Sequence, residues 1–118
     1  MSISTNKVKD KNVVIINAPE RLDVLSAEEF RNVLNDSIEK NNFKIVVNLE
    51  NTKYIDSTGL GALVSKIALT RSNKGDIRLA TPKPSIIDLL ELTHLIKILK
   101  CYNTVDTAID SYVEAKNS

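Results

Sequence analysis

One cysteine, one histidine, three glycines, three prolines and no tryptophan occur in 118 residues. Each scarcity excludes something. Cys101 alone cannot close an internal disulfide, and His94 as the only histidine leaves no Cys/His cluster, so a disulfide framework and structural zinc are both excluded. No metal or cofactor is expected. The longest strictly apolar runs, such as Val13-Val14-Ile15-Ile16, fall far short of the roughly 20 residues a bilayer demands, and no apolar segment follows Met1. A soluble cytoplasmic protein with no membrane role is therefore expected. With 16 Lys+Arg against 15 Asp+Glu, three Tyr, two Phe and no basic run, electrostatics gives nucleic acid little hold, and no direct nucleic-acid partner is expected. What the chain does have is 42% apolar residues, enough for one domain over residues 1–118 that buries roughly two thirds of its unfolded surface.

Apolar spacing alternates between short extended runs and amphipathic stretches, which predicts an α/β fold. Ile3 to Val8 and Val13 to Asn17, joined by a turn at Asp10-Lys11-Asn12, read as a hairpin with its first strand at the sheet edge. A helix follows, with Ser26 as N-cap, Glu29 as its capping-box partner and Leu25 stapled to Phe30; Phe30, Val33, Leu34 and Ile38 form its buried face. Lys44 to Leu49 is the central strand. Beyond Tyr54 to Gly61 one helix is predicted, with Leu60, Leu63, Val64, Ile67 and Ala68 on a single stripe and Gly75 taking a left-handed conformation at its end. Ile77 to Ala80 and Leu95 to Leu99 are the remaining strands. Pro82 and Pro84 precede a short helix capped by Ser85, and Thr104 caps a last helix with Val105, Ala108, Ile109, Tyr112 and Val113 on its stripe. Strand and helix alternating from Ile45 onward imply parallel neighbours with right-handed crossovers. The expected architecture is a mixed sheet of about five strands with about four helices.

Two of the three glycines, Gly59 and Gly61, fall in the first turn of one helix, just after a strand. Each lowers helix propensity by up to about 1 kcal/mol relative to alanine. Four readings compete. Ser57 or Asp56 is an N-cap and the glycines ease packing; or the turn cradles a phosphate, although Val64 stands where a dinucleotide fingerprint has glycine and no Gly-Lys-Ser/Thr sequence occurs. Ser57 as a nucleophile lacks the Gly-x-Ser-x-Gly context and has only His94 for a base. The fourth reading is reversible phosphorylation of Ser57, which adds about −1.5 to −2 charges where a helix N-terminus favours them and a docked partner does not.

Tyr54-Ile55-Asp56-Ser57-Thr58-Gly59-Leu60-Gly61 resembles the signature of the STAS-domain anti-sigma factor antagonists of bacteria. Arg21-Leu22-Asp23 with Ala27 and Phe30-Arg31, and Thr81-Pro82 through Leu89-Leu90, Leu92, Leu95, Ile98, Thr104 and Ala108, continue the likeness over nearly the whole chain. Glu20 and His94 depart from it, each standing where glycine is common. The resemblance implies a STAS-like fold and a non-catalytic protein. Its unphosphorylated form would bind an anti-sigma factor that is also a serine kinase, freeing the sigma factor. Phosphorylation of Ser57 would switch binding off, and a PP2C-type phosphatase would reset it. The implied partner-binding residues are Asp23, Asp56, Ser57, Thr58, Gly59, Leu60 and Gly61. A monomer when free is expected, and the other role STAS domains suggest is a subunit of a stressosome or a transporter complex. Outside the resemblance, Asp23 reads as a solvated turn carboxylate, since aspartate is common in turns. Arg31, Lys66 and Arg71 read as solvated helix faces, with a partner surface the alternative for Lys66 or Arg71, and Cys101 reads as a small buried hydrophobe.

Overall fold

A computed structural model describes residues 3–8 and 10–116, with side chains as far as Tyr112. Five strands form the main sheet in the order β1 (Ser4–Val8), β2 (Val13–Asn17), β4 (Lys44–Asn48), β6 (Asp76–Ala80) and β7 (Cys101–Tyr102). β1 runs antiparallel to β2 and the rest are parallel. A second, two-stranded parallel sheet joins β3 (Arg21–Leu22) to β5 (Tyr54–Ile55). Ile45, Val46 and Val47 of β4 are fully buried, as a central parallel strand covered on both faces requires. Val46 faces α5 (Val105–Lys116) with Val13, Ala80, Ala108, Ile109 and Tyr112. Ile45 and Val47 face the larger core under α1 (Ala27–Glu39) and α2 (Ser57–Val64), with Ile16, Phe30, Leu34, Leu63 and Leu79. Among the described residues no helix is long and apolar enough to cross a membrane.

The expected mixed sheet is present, but its last strand lies elsewhere. Leu95–Lys97 is a 3₁₀ turn entered through His94 at φ 64, and the Ile98 and Leu99 amides donate back to Leu95 O at 2.9 and 2.8 Å. The apolar positions 95, 96, 98 and 99 carry helical spacing, and only Cys101 and Tyr102 reach β6. The one helix predicted before Gly75 is two: α2 ends at Val64, and α3 (Ile67–Ser72) starts after Lys66 leaves helical geometry at φ −120. The Ser65 hydroxyl donates to Ala62 O at 2.8 Å, a local bond that competes with the helix. Leu60, Leu63 and Ile67 remain inward, Val64 is half-buried and Ala68 is exposed.

Gly75 is not left-handed; Lys74 is, at φ 67. A Cβ on Gly75 would overlap the Phe43 carbonyl oxygen, so the glycine lets the chain pass the entry of β4. Lys83, extended because a proline follows it, is the N-cap of α4 (Pro84–Leu92) in place of Ser85. Thr104 caps α5 as expected, accepting from the Thr107 amide at 3.0 Å; Val113 lies outside the described side chains.

At the start of β6 the buried Asp76 carboxylate accepts from Arg71 Nε at 2.9 Å and from Arg78 Nε at 3.1 Å. Arg71 stays exposed on α3, and its guanidinium also donates through Nη2 to Ile98 O at 2.6 Å. Arg78 stacks 4.1 Å over the Tyr112 ring, and the Tyr112 hydroxyl lies 2.7 Å from the carbonyl oxygens of both Ile45 and Asp76. Burial pushes that hydroxyl's pKa far above its ordinary value, keeping it a donor. Burial likewise raises the Cys101 thiol, which opposes thiolate chemistry.

Candidate functional site

The two-residue ladder of β3 and β5 brings the Arg21–Ser26 segment against the N-terminus of α2. Asp56 is the N-cap: its backbone is extended at φ −102, and Oδ1 accepts from the Gly59 amide at 2.9 Å. Oδ2 accepts from the Val24 amide at 3.2 Å, and the Asp56 amide donates to Leu22 O at 3.2 Å. One carboxylate thus ties helix and loop together. Of the two caps the sequence allowed, Asp56 takes the role, which leaves Ser57 as the first helical residue. Ser57 is exposed, and its hydroxyl takes part in no hydrogen bond among the described residues.

Asp23 is buried, with Oδ1 accepting from the Leu25 amide at 3.1 Å and Oδ2 paired with Arg21 Nε at 3.2 Å. It is therefore not a solvated turn carboxylate; it shapes the loop from inside. Arg21 in turn lies 4.4 Å over the Tyr54 ring. Ser26 stands before α1 but does not cap it: at φ −112, ψ −9 its hydroxyl donates back to Arg21 O at 2.7 Å and accepts from the Asp23 amide at 3.1 Å. The capping box with Glu29 and the staple from Leu25 do not form, because the Asp23 turn captures the serine and turns Leu25 outward to 90% exposure.

The two glycines do different things. A Cβ on Gly59 would run into the Leu22 carbonyl oxygen, with the Leu22 carbonyl carbon at 2.8 Å and Ile55 Cγ2 at 3.1 Å. Gly59 therefore seats α2 on β3. At Gly61 a Cβ would meet only Arg31 Nη2, at 3.4 Å. Leu60 and Gly59 are buried beneath the corner, whereas Ser57, Thr58 and Gly61 lie on its open side. Of the expected partner-binding residues, Asp56, Ser57, Thr58 and Gly61 share one surface; Gly59, Leu60 and Asp23 support it from below.

Three residues that local patterns did not assign to the site belong to this corner. Val24 and Leu25 are apolar yet 67% and 90% exposed beside Asp56, and Arg31 is half-buried against Gly61 instead of standing in solvent. No periodicity marks the first two, since the loop that exposes them depends on the contact with Asp56. His94, the only histidine, sits between α4 and the 3₁₀ turn and not among the residues around Ser57, so no imidazole is positioned there as a base.

A model of the STAS domain matches residues 4–108. This chain belongs to the STAS domain family. The anti-sigma F factor antagonist of Paenibacillus polymyxa is 24% identical to this STAS domain over 110 residues, covering 92% of the chain and 94% of its own. The crystal structure of TM1081 from Thermotoga maritima superposes with a TM-score of 0.83 at 28% identity, over 93% of each chain. The same fold is found in the phosphorylated form of the Bacillus cell fate determinant SpoIIAA, with a TM-score of 0.72 at 22% identity over 93% of this chain and 98% of that one.

Proposed function

We propose that this STAS domain is an anti-sigma factor antagonist. Its unphosphorylated form binds a cognate anti-sigma factor that is also a serine kinase and so frees the sigma factor; phosphorylation of Ser57 ends that binding, and a PP2C-type phosphatase restores it. The observation that carries this reading is the division of labour at the helix start. Asp56 makes the capping bonds, so the adjacent Ser57 hydroxyl is exposed and free to be esterified with no loss of a fold-maintaining bond. A dianion there suits the helix dipole, and the domain keeps its shape while its surface changes sign. The curated relatives, anti-sigma F and anti-sigma-B factor antagonists, support the coarse role.

Incubation with the cognate kinase and ATP, followed by mass-spectrometric mapping, is expected to place one phosphate on Ser57. Phosphate on Thr58 or elsewhere, with Ser57 unmodified, overturns the assignment.

The exposed Val24 and Leu25 supply the apolar contact that such docking needs next to the switch. Burying a leucine side chain contributes about 1.5–3 kcal/mol, roughly ten- to a hundredfold in affinity. Leu25→Ser removes that contact and no internal packing, since the side chain is 90% exposed. It is expected to leave thermal unfolding unchanged and to weaken binding of the kinase at least about tenfold by calorimetry. Unchanged affinity removes Leu25 from the interface.

A further inference from the structure

Arg21, Arg71 and Arg78 each pair with a carboxylate. Arg31 makes no ion pair among the described residues. Half-buried on α1, it extends its guanidinium across the open face of α2 until Nη2 stands 3.4 Å from where a Gly61 Cβ would be. Side chains four residues apart on a helix have Cβ atoms about 5–6 Å apart, and Cα–Cβ bonds tilt toward the helix N-terminus. Gly61 therefore leaves a gap that opens toward Ser57, one turn earlier on the same exposed face, with a cation at its edge.

We propose that Arg31 is the internal counter-ion of phosphorylated Ser57, its guanidinium pairing with the phosphate across the gap at Gly61. This rests on Ser57 being the modified residue. The remaining charged groups nearby do not compete for the role. The Asp56 carboxylate repels the phosphate and is held by the Gly59 and Val24 amides, Arg21 is engaged by Asp23, and Glu28 and Glu29, which precede Arg31 on α1, have the phosphate's own sign. A planar fork of donors suits phosphate oxygens, and the α1 backbone fixes its position. Phosphorylation then does two things at once. It adds charge, and it draws Arg31 over the docking face, closing the Gly61 gap to a partner.

The test uses the full chain with phosphoserine genetically encoded at position 57, so that no kinase is required. Phosphorus NMR titration at constant ionic strength compares the parent phosphoprotein with its Arg31→Gln and Arg31→Lys variants. Loss of a cation within pairing distance raises a phosphate's second ionisation, so the glutamine variant is expected to titrate at least about half a unit higher, with lysine in between. In the parent protein the Arg31 Nε–H resonance is expected to move downfield when the phosphate is present. Equal midpoints in parent and glutamine variant, with an unmoved Arg31 resonance, overturn the proposal. Because the phosphate is encoded, that result counts against Arg31 alone, whereas a kinase that ignores Ser57 counts against the switch alone.

Discussion

Gly59→Ala is expected to lower the unfolding free energy by more than about 3 kcal/mol in urea denaturation, or to prevent a cooperative transition altogether. The reason is the identity of what the new methyl group meets. The obstructing atoms are the carbonyl oxygen and carbon of Leu22, which are main chain, and Ile55 Cγ2 at 3.1 Å, which is core. Leu22 cannot retreat. Its backbone is paired with Ile55 in the parallel ladder, its carbonyl accepts from the Asp56 amide, and its own side chain is fully buried. Displacing it separates β3 from β5 and breaks the Asp56 tie to the loop. Gly61→Ala, two residues on, meets only the end of a flexible arginine. There the gain in helix propensity, about 1 kcal/mol, offsets the shift of Arg31, and stability is expected to change little. Similar losses at both positions contradict the different roles assigned to the two glycines.

That contrast shows where the sequence was legible. The run Asp56 to Gly61 declared itself, because glycine is scarce and two of three glycines in one helical turn demand a reason. The sheet was legible for a similar reason: Lys44 to Asn48 carries three consecutive β-branched residues, and the α/β alternation after it fixes parallel neighbours. Which glycine does which job was not legible, because the obstacle to Gly59 lies 37 positions earlier at Leu22 and no local pattern reports it. Ser26 shows the same limit in reverse. Its spacing to Glu29 satisfies a capping box, yet the Asp23 turn captures its hydroxyl and leaves Leu25 outside. Local pattern yields to a tertiary contact, the Asp56 bond to the Val24 amide, that becomes visible only once β3 and β5 are paired. Leu95 to Leu99 is a different case: an apolar cluster too short to separate the two periods reads as a strand, and it is a turn followed by a buried leucine.

Ser57→Asp is expected to fold like the parent and to bind the kinase roughly thirty- to a thousandfold more weakly, from about 2–4 kcal/mol for desolvating a carboxylate at an interface. Folding survives because the new carboxylate stands at the first position of α2, where the helix dipole contributes about 0.3–1 kcal/mol in its favour, against repulsion from Asp56 across one residue. The two terms are of similar size, so unfolding midpoints should agree within a few degrees. Binding fails for the opposite reason. A partner covering Ser57, Thr58 and Gly61 must strip water from the added charge, and the Gly59 amide already serves Asp56. Ser57→Ala separates charge from contact. It loses one exposed hydroxyl with no described hydrogen bond, so it is expected to bind within about threefold of the parent and to stay bound when ATP is supplied, since 0.5 kcal/mol or so is the usual scale of such surface changes. Calorimetric titration of the kinase with parent, alanine and aspartate forms, with and without ATP, reads all three outcomes. Equal affinity of the alanine and aspartate forms shows that charge at position 57 does not control docking.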